Sequence, residues 1–251
     1  MPVYPIDAAG GGPPLVVLLH GLDGIAAVWG PLIDVLGPGV DVCAADLAGH
    51  GSAPTLARYG YDDLAGEIAG RLGGDLAGRE LVLVGHSLGG VVALLLAARA
   101  DLSVRGVVAI GCKTQWPDSD LAAMARVADK GVGWFDGPAE ATERFLRVSG
   151  LGGVLDPAAA AAGVRAEDGR WRLAVDPEVH RVEAVDFAVL LEGSRAPVVL
   201  ATGEHDAMAP AGDLARFGRP VEVVAGAGHN AHVERPEAVA ALLGPFLQAG
   251  R

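Results

Sequence analysis

Stretches of the chain that are apolar at every position recur at intervals and predict buried strands. Leu15–Leu19 (LVVLL) and Leu81–Val84 (LVLV) lack the alternation of a half-buried strand, a pattern typical of parallel strands covered on both faces. A short edge strand is predicted at Val3–Ile6. Further strands are predicted over Val40–Ala45, Val104–Ile110, Pro197–Thr202 and Pro220–Ala225.

Helical periodicity fills most of the intervals between these strands. Apolar residues recur at helical spacing in Val28–Leu36, Tyr61–Leu76 and Glu237–Leu247, and an apolar helix begins at Val91. Strands that alternate with helices at this spacing indicate a parallel sheet built from crossover units.

The alternation stops between residue 113 and residue 193. Helices are predicted near Ser119–Lys130, Pro138–Val148 and Val179–Leu191, with no clear strand between them. The segment Glu167–Arg172 (EDGRWR) reads as a turn with exposed flanks. The pattern therefore predicts a helical insertion into the α/β core.

One serine stands at the bend between a buried strand and an apolar helix. The sequence Gly85-His86-Ser87-Leu88-Gly89 has small residues on both sides of Ser87, which allow the sharp turn known as a nucleophile elbow. The turn also places Ser87 at a helix N-terminus, where free N–H groups favour a developing negative charge. The alternative is a serine that only caps the helix.

From this elbow the chain resembles the α/β-hydrolase family. The resemblance implies an α/β-hydrolase fold, a mostly parallel twisted sheet flanked by helices, with a helical lid inserted after the sixth strand. It implies a core of residues 1–112 and 194–251 and a lid of residues 113–193. It extends to the turn Asp46–Ser52 (DLAGHGS), which is similar to the family's D-x-x-G-H-G-x-S, and Asp46 and His50 are expected to organise that turn.

The resemblance also implies two donors for an oxyanion. The loop after Leu15–Leu19 begins with His20-Gly21, and by position Leu22 supplies one backbone N–H while Leu88 supplies the other. The alternative is a tight turn without catalytic use. His20 itself is expected to be a hydrogen-bonded structural histidine.

Family order then assigns the acid and the base. In such hydrolases the nucleophile precedes the acid and the acid precedes the histidine, an order that Ser87, Asp206 and His229 follow here. His232 is the main rival base, although a supporting or surface role is expected for it. The rival acids are Glu204 and Asp213. The remaining histidines are expected outside the base position, with the side chain of His86 pointing away from the nucleophile: His20, His50, His86, His180 and His205.

The composition of the chain restricts the kinds of molecule that it is expected to bind. The chain has 251 residues, enough for one sizeable core, and a formal net charge of -12, which argues against nucleic acid or an anionic membrane as a partner. The N-terminus MPVYPID does not resemble a signal peptide, so a cytoplasmic protein is expected. Cys43 and Cys112 are expected to be buried thiols. The expected partner is a small-molecule substrate, and neither a cofactor nor a metal is expected. The oligomeric state is left open.

The sequence indicates the substrate less clearly than it indicates the catalytic residues. Trp116 and Trp134 are candidates to line an apolar pocket, although packing within the lid is the alternative. A serine at the elbow argues against the family branches that use aspartate there, and Asn230 after the histidine departs from the carbon–carbon bond hydrolases, which commonly have tryptophan. The expected activity is hydrolysis of a small to medium, largely apolar ester, thioester or lactone.

Two other kinds of function remain open. The same scaffold can act as a lyase or cyclase in which His229 moves protons and Ser87 is never acylated. A ligand-binding protein with an idle triad is the second alternative. A zinc site at His205, Asp206, His229 and His232 is a further, weaker alternative, because the His-x-x-His spacing can serve zinc.

Overall fold

Six parallel strands form one sheet in the computed structural model, which describes residues 13–72 and 78–248. The strands of the described residues are β1 (Leu15–Leu19), β2 (Val42–Ala45), β3 (Glu80–His86), β4 (Ser103–Ile110), β5 (Val164–Glu167), β6 (Arg170–Leu173), β7 (Val198–Gly203) and β8 (Val221–Val224). The order across the sheet is β2-β1-β3-β4-β7-β8, while β5 and β6 form a separate antiparallel pair.

Helices cover both faces of this sheet. The α-helices of the described residues are α1 (Gly30–Leu36), α2 (Tyr61–Leu72), α3 (Leu88–Ala98), α4 (Asp118–Asp129), α5 (Pro138–Val148), α6 (Phe187–Gly193), α7 (Ala211–Ala215), α8 (Ala231–Glu234) and α9 (Pro236–Leu247). Helices α2, α3 and α6 pack on one face, and α1 and α9 pack on the other. Residues of β1 alternate between the two cores and are all fully buried, which explains their uninterrupted apolar sequence.

Strand register brings three chain reversals to one edge of the sheet. Leu19 of β1 pairs with Gly85 of β3, and His86 pairs with Ile110 of β4. The loops after these strands therefore leave the same carboxyl edge, where ligands bind in open α/β sheets. This register places the loop of Leu22 beside the bend at Ser87.

The insertion between β4 and β7 is less helical than predicted. Helices α4 and α5 match the predicted Ser119–Lys130 and Pro138–Val148 closely, but the predicted helix Val179–Leu191 is divided into a 3₁₀ turn, Pro177–His180, and α6. The turn predicted in Glu167–Arg172 is present between β5 and β6, but its flanks form an antiparallel hairpin in which Arg172 is buried. The guanidinium of Arg172 donates to two backbone carbonyls and to Glu167, which offsets its burial.

The strand count before the insertion also differs from the expectation. Along the described residues the insertion follows the fourth strand of the sheet, so its predicted place after a sixth strand is not confirmed. The edge strand predicted at Val3–Ile6 lies outside the described residues, as does the end of the helix predicted to reach Leu76. The remaining core strands lie within a few residues of their predicted bounds, and the expected α/β-hydrolase architecture is confirmed.

Candidate active site

Ser87 has the strained backbone that the elbow sequence predicts. Its φ is 50° and its ψ is -113°, a region that non-glycine residues rarely adopt. A Cβ at Gly85 would collide with the backbone of Gly89, and a Cβ at Gly89 would collide with the carbonyl oxygen of Leu19. The glycines are therefore required by close backbone contacts around the bend, which projects the Ser87 side chain from the strand end.

Leu22 and Leu88 both lie near this bend. Leu88 is the first residue of α3, so its N–H has no acceptor within the helix. Leu22 follows Gly21, where a Cβ would lie 3.3 Å from the Cβ of Ser87. Both leucines line the cavity that contains Ser87, a position compatible with the predicted pair of oxyanion donors.

Asp206 and His229 are joined by a hydrogen bond. His229 Nδ1–H donates to Asp206 Oδ2 at 2.8 Å, and the Asp206 side chain is completely buried while His229 is 18% exposed. Burial alone would raise the pKa of Asp206, but the hydrogen bonds from His229, Ala209 N–H and Met208 N–H outweigh it and lower that pKa. The carboxylate therefore stays ionised and fixes the tautomer in which Nε2 of His229 is unprotonated.

The cavity brings His229 and Ser87 together. Both residues line it. Gly111 directly follows β4, the neighbour of the strand that leads to Ser87, and a Cβ at Gly111 would lie 3.3 Å from the His229 ring. Within the part of the chain that the structure describes, no direct hydrogen bond joins the Ser87 hydroxyl to His229. Hydrogen bonds of this kind are often long in unliganded enzymes and tighten when substrate binds.

The loop that carries His229 is fixed from two directions. Glu234 accepts hydrogen bonds from Gly228 N–H at 2.7 Å and from Asn230 N–H at 3.1 Å. The Asn230 side-chain amide donates to the carbonyls of Ser149 and Gly150, in the insertion, at 3.1 and 3.2 Å. Sequence reasoning missed both contacts, although a glutamate one turn after Asn230 resembles a capping box shifted by one residue.

The turn of Asp46 and His50 has the predicted structural role. Asp46 accepts hydrogen bonds from Ala26 N–H at 2.7 Å and from Ser52 N–H at 2.9 Å. His20 is also structural, because its Nδ1–H donates to Gly21 O at 2.7 Å and its Nε2 accepts from Leu47 N–H at 2.9 Å. Burial, with the nearby His50, lowers the pKa of His20 to about 3, so its ring is neutral.

Two other histidines differ from expectation. His86 does not point away from the site: its Nε2–H donates to the backbone carbonyl of His229 at 2.9 Å, and the two rings lie 4.6 Å apart. His232 is fully buried between Trp29 and His86, with ring centroids 4.3 and 4.5 Å away. Neither ring nitrogen of His232 has a partner among the described residues. The predicted surface alternative for His232 is therefore wrong.

A cavity of about 640 Å³ opens above Ser87 between the core and the insertion. Trp116 lines it, as predicted, with the Lys113 ammonium 4.6 Å from the ring centroid. Trp134 is not among the lining residues, because its ring packs instead near the guanidinium groups of Arg170 and Arg172 in the hairpin. The predicted pocket role of Trp134 is thus not supported, while the insertion does supply one wall of the cavity.

Metal-ligand groups and membrane-spanning helices can be looked for in the described ranges, 13–72 and 78–248. These ranges contain no group of three or more histidine, cysteine, aspartate or glutamate side chains arranged to hold a metal ion. Within the same ranges, no helix combines the length and apolar character that crossing a bilayer requires. Cys43 and Cys112 are buried free thiols, as expected.

The fold and the arrangement of this site define an α/β-hydrolase. A model of the alpha/beta hydrolase family matches residues 16–242, and the chain belongs to that family. It is 30% identical over 255 residues to the 2-(acetamidomethylene)succinate hydrolase of Mesorhizobium japonicum, a match covering 95% of this chain and 90% of the relative.

Two further comparisons show the range of the relatives. A crystal structure of E-2-(acetamidomethylene)succinate hydrolase superposes with a TM-score of 0.79 at 27% identity, covering 96% of this chain and 93% of the other. The 2-succinyl-6-hydroxy-2,4-cyclohexadiene-1-carboxylate synthase of Escherichia coli O1:K1 / APEC is 27% identical over 260 residues, covering 94% of this chain and 95% of the relative. Similarity over nearly the whole chain thus includes both a hydrolase and a synthase.

Proposed function

We propose that the protein is a serine hydrolase that cleaves a small to medium, largely apolar carboxylic ester, thioester or lactone through an acyl-enzyme on Ser87. The observation that carries the proposal is the convergence of the strained Ser87 and the Asp206–His229 pair on one cavity. A nucleophile, a base and a group that orients the base are the parts that acyl transfer requires. The full-length relative named as a hydrolase supports the general class.

In the proposed reaction the Ser87 hydroxyl attacks the substrate carbonyl carbon while His229 Nε2 accepts its proton. The carbonyl oxygen becomes an oxyanion that accepts hydrogen bonds from Leu22 N–H and Leu88 N–H. The tetrahedral intermediate collapses, the bond to the leaving group breaks, and His229 protonates that group. Water, deprotonated by His229, then attacks the acyl-enzyme and releases a carboxylic acid and free Ser87.

A fluorophosphonate probe with mass-spectrometric site mapping tests the nucleophile. We expect covalent labelling on Ser87, no labelling of Ser87→Ala, and a loss of turnover in that variant of about 10⁴-fold or more on a short activated ester. Activity of Ser87→Ala near that of the unmodified protein would reject the acyl-enzyme. A panel of acyl-chain lengths would then define the preferred substrate size.

The second candidate is a lyase or cyclase on the same scaffold, favoured by the similarity to the synthase. In such a reaction His229 transfers protons and Ser87 forms no covalent bond. Turnover of a carbon–carbon bond substrate by a protein whose Ser87 is not labelled by the fluorophosphonate would select this candidate. Turnover that stops when Ser87 is labelled, together with release of a carboxylic acid, would select the hydrolase.

A further inference from the structure

His180, in the insertion, differs from the other buried histidines near the oxyanion loop in what its ring nitrogens contact. Its Nδ1 lies 3.0 Å from Pro177 O and its Nε2 lies 3.1 Å from Asp23 Oδ2. A carbonyl and a carboxylate both only accept hydrogen bonds, so both contacts are satisfied only when both ring nitrogens carry protons. The geometry therefore favours an imidazolium at this position.

The neighbouring histidines provide an internal contrast. His50 accepts a hydrogen bond from Asp23 N–H at 3.3 Å through Nε2 and donates to Ala48 O at 3.2 Å through Nδ1, which fits a neutral ring. His20 likewise has one donor and one acceptor as neighbours. Only His180, of these three, faces two acceptors.

Asp23, the partner of His180, directly follows Leu22 in the chain and has a φ of 60°. A positive φ is uncommon for non-glycine residues, and aspartate is one of the few that adopt it. Asp23 is held from two sides, through its backbone N–H by His50 and through its carboxylate by His180. The side chains of His180 and Asp23 are only 7% and 14% exposed, so solvent screens their attraction little.

We propose that His180 is a positioning residue of the insertion, which in its doubly protonated form holds Asp23 and thereby the loop that presents the Leu22 N–H to the oxyanion. This inference rests on the proposed function, because it concerns the same oxyanion. It makes the insertion part of the catalytic arrangement as well as a wall of the cavity. His180 itself touches no reacting atom.

Charged and titratable groups of several elements lie near His180. Asp23 faces it from the loop after β1 and His50 from the loop after β2. On its own 3₁₀ turn, Glu178 pairs with Arg181, and from α4 Asp129 also pairs with Arg181, so these charges are directed to one another.

These surroundings give a direction for the titration. Burial alone would lower the pKa of His180, but the hydrogen bond and charge of Asp23 outweigh it, and the pKa lies above the ordinary 6.5. The stabilisation from the ion pair is fully present below about pH 6.5 and is lost as the pH rises through the raised pKa. The hold on the oxyanion loop is therefore expected to weaken on the alkaline side.

The first test measures protonation directly and needs no substrate. Histidine ring resonances of the full chain would be followed by NMR from about pH 5 to about pH 9, with His180 assigned by comparison with His180→Gln and Asp23→Asn. We expect His180 to titrate above 6.5 in the unmodified protein and at a lower pH in Asp23→Asn. Titration at or below 6.5 in the unmodified protein would overturn the inference.

The second test separates kcat from KM on a short activated ester. We expect His180→Gln to lower kcat by about 10-fold at neutral pH, less than the 10²–10³ lost with an oxyanion donor itself, with KM nearly unchanged. The unmodified protein should lose kcat as the pH rises through the His180 titration, and the variant should not show this fall. Matching relative kcat profiles for both proteins would overturn the inference.

Asp129→Asn is the matched control, since it breaks the exposed Asp129–Arg181 ion pair between α4 and the same 3₁₀ turn without touching Asp23. It should retain the kcat and the alkaline fall of the unmodified protein. If His180→Gln does not fold, Asp23→Asn supplies the same comparison. A raised His180 titration without fluorophosphonate labelling of Ser87 would reject the proposed hydrolase while leaving the His180–Asp23 contact established, so the two failures are distinguishable.

Discussion

Glu234 Oε2 accepts a hydrogen bond from the backbone N–H of Gly228 at 2.7 Å, one residue before the proposed base His229. The other carboxylate oxygen accepts from Asn230 N–H, one residue after it. One carboxylate therefore binds the backbone N–H groups of the residues on both sides of His229. In a triad this is a positional role, because the base works only where its Nε2 can reach the nucleophile.

We expect Glu234→Gln to lower kcat by about 10- to 100-fold with little change in KM, because a hydrogen bond to a charged group contributes about 1.5–3 kcal/mol. The amide retains one acceptor but turns its NH₂ toward a backbone N–H. Steady-state kinetics with Glu237→Gln as control check this, since Glu237 is exposed on the first turn of α9. Equal kcat values for the two variants would show that Glu234 does not position His229.

Asp206→Asn is expected to lower kcat by about 10⁴-fold while the protein stays folded, as loss of the orienting carboxylate does in such triads. The asparagine oxygen can still accept from Met208 N–H and Ala209 N–H, but its NH₂ would face His229 Nδ1 and favour the wrong tautomer. Asp213→Asn, at the rival acid, should retain near-normal kcat. A severe loss in Asp213→Asn and a mild one in Asp206→Asn would reverse the assignment.

Gly89→Ala is expected to destabilise the protein by about 3 kcal/mol or more, because the added Cβ would collide with the backbone of Leu19, at the end of β1, and of His20, which follows it. Gly66→Ala, in α2, meets no atom within 4 Å and should stabilise by up to about 1 kcal/mol. Urea unfolding of both variants measures the contrast. Similar free energies of unfolding for the two would contradict the tight strand–turn–helix packing.

The free energy of unfolding should decrease as the pH is lowered, because the folded protein keeps some buried histidines neutral. Burial, with the nearby His229 and His20, lowers the pKa of His232 from 6.5 to about 3. A lowered folded-state pKa contributes stability that is present above pH 6.5 and is lost as the pH falls toward about 3, because the unfolded chain takes up the proton first.

His232→Phe keeps a ring between Trp29 and His86 but cannot bind a proton. Between pH 7 and pH 5 we expect this variant to lose up to about 2 kcal/mol less unfolding free energy than the unmodified protein. Urea titrations at both pH values give this difference, and any overpacking by the larger ring cancels because it acts at both. Equal losses would show that His232 does not resist protonation in the folded state.

Local sequence determined the parallel core and the elbow. A strand buried on both faces must be apolar at every position, and a bend with close backbone contacts must contain glycine, so both are readable without knowledge of their partners. The strand–turn–helix around Ser87 is therefore where it was predicted, and so are the strands that lead to Leu22 and to Asp206.

Tertiary structure decided the contacts that join distant segments. The hairpin of the insertion was not predicted, because a charged residue such as Arg172 indicates an exposed position. Arg172 can be buried only because two backbone carbonyls and Glu167 accept its hydrogen bonds. Residue type made Trp134 a candidate for the pocket with packing within the insertion as the alternative, and its contacts with Arg170 and Arg172 decide for packing. The contacts of Asn230 with Ser149 and of His180 with Asp23 join residues more than 80 positions apart. Such pairs leave no local periodicity, because only the packing of the insertion on the sheet brings their polar atoms together.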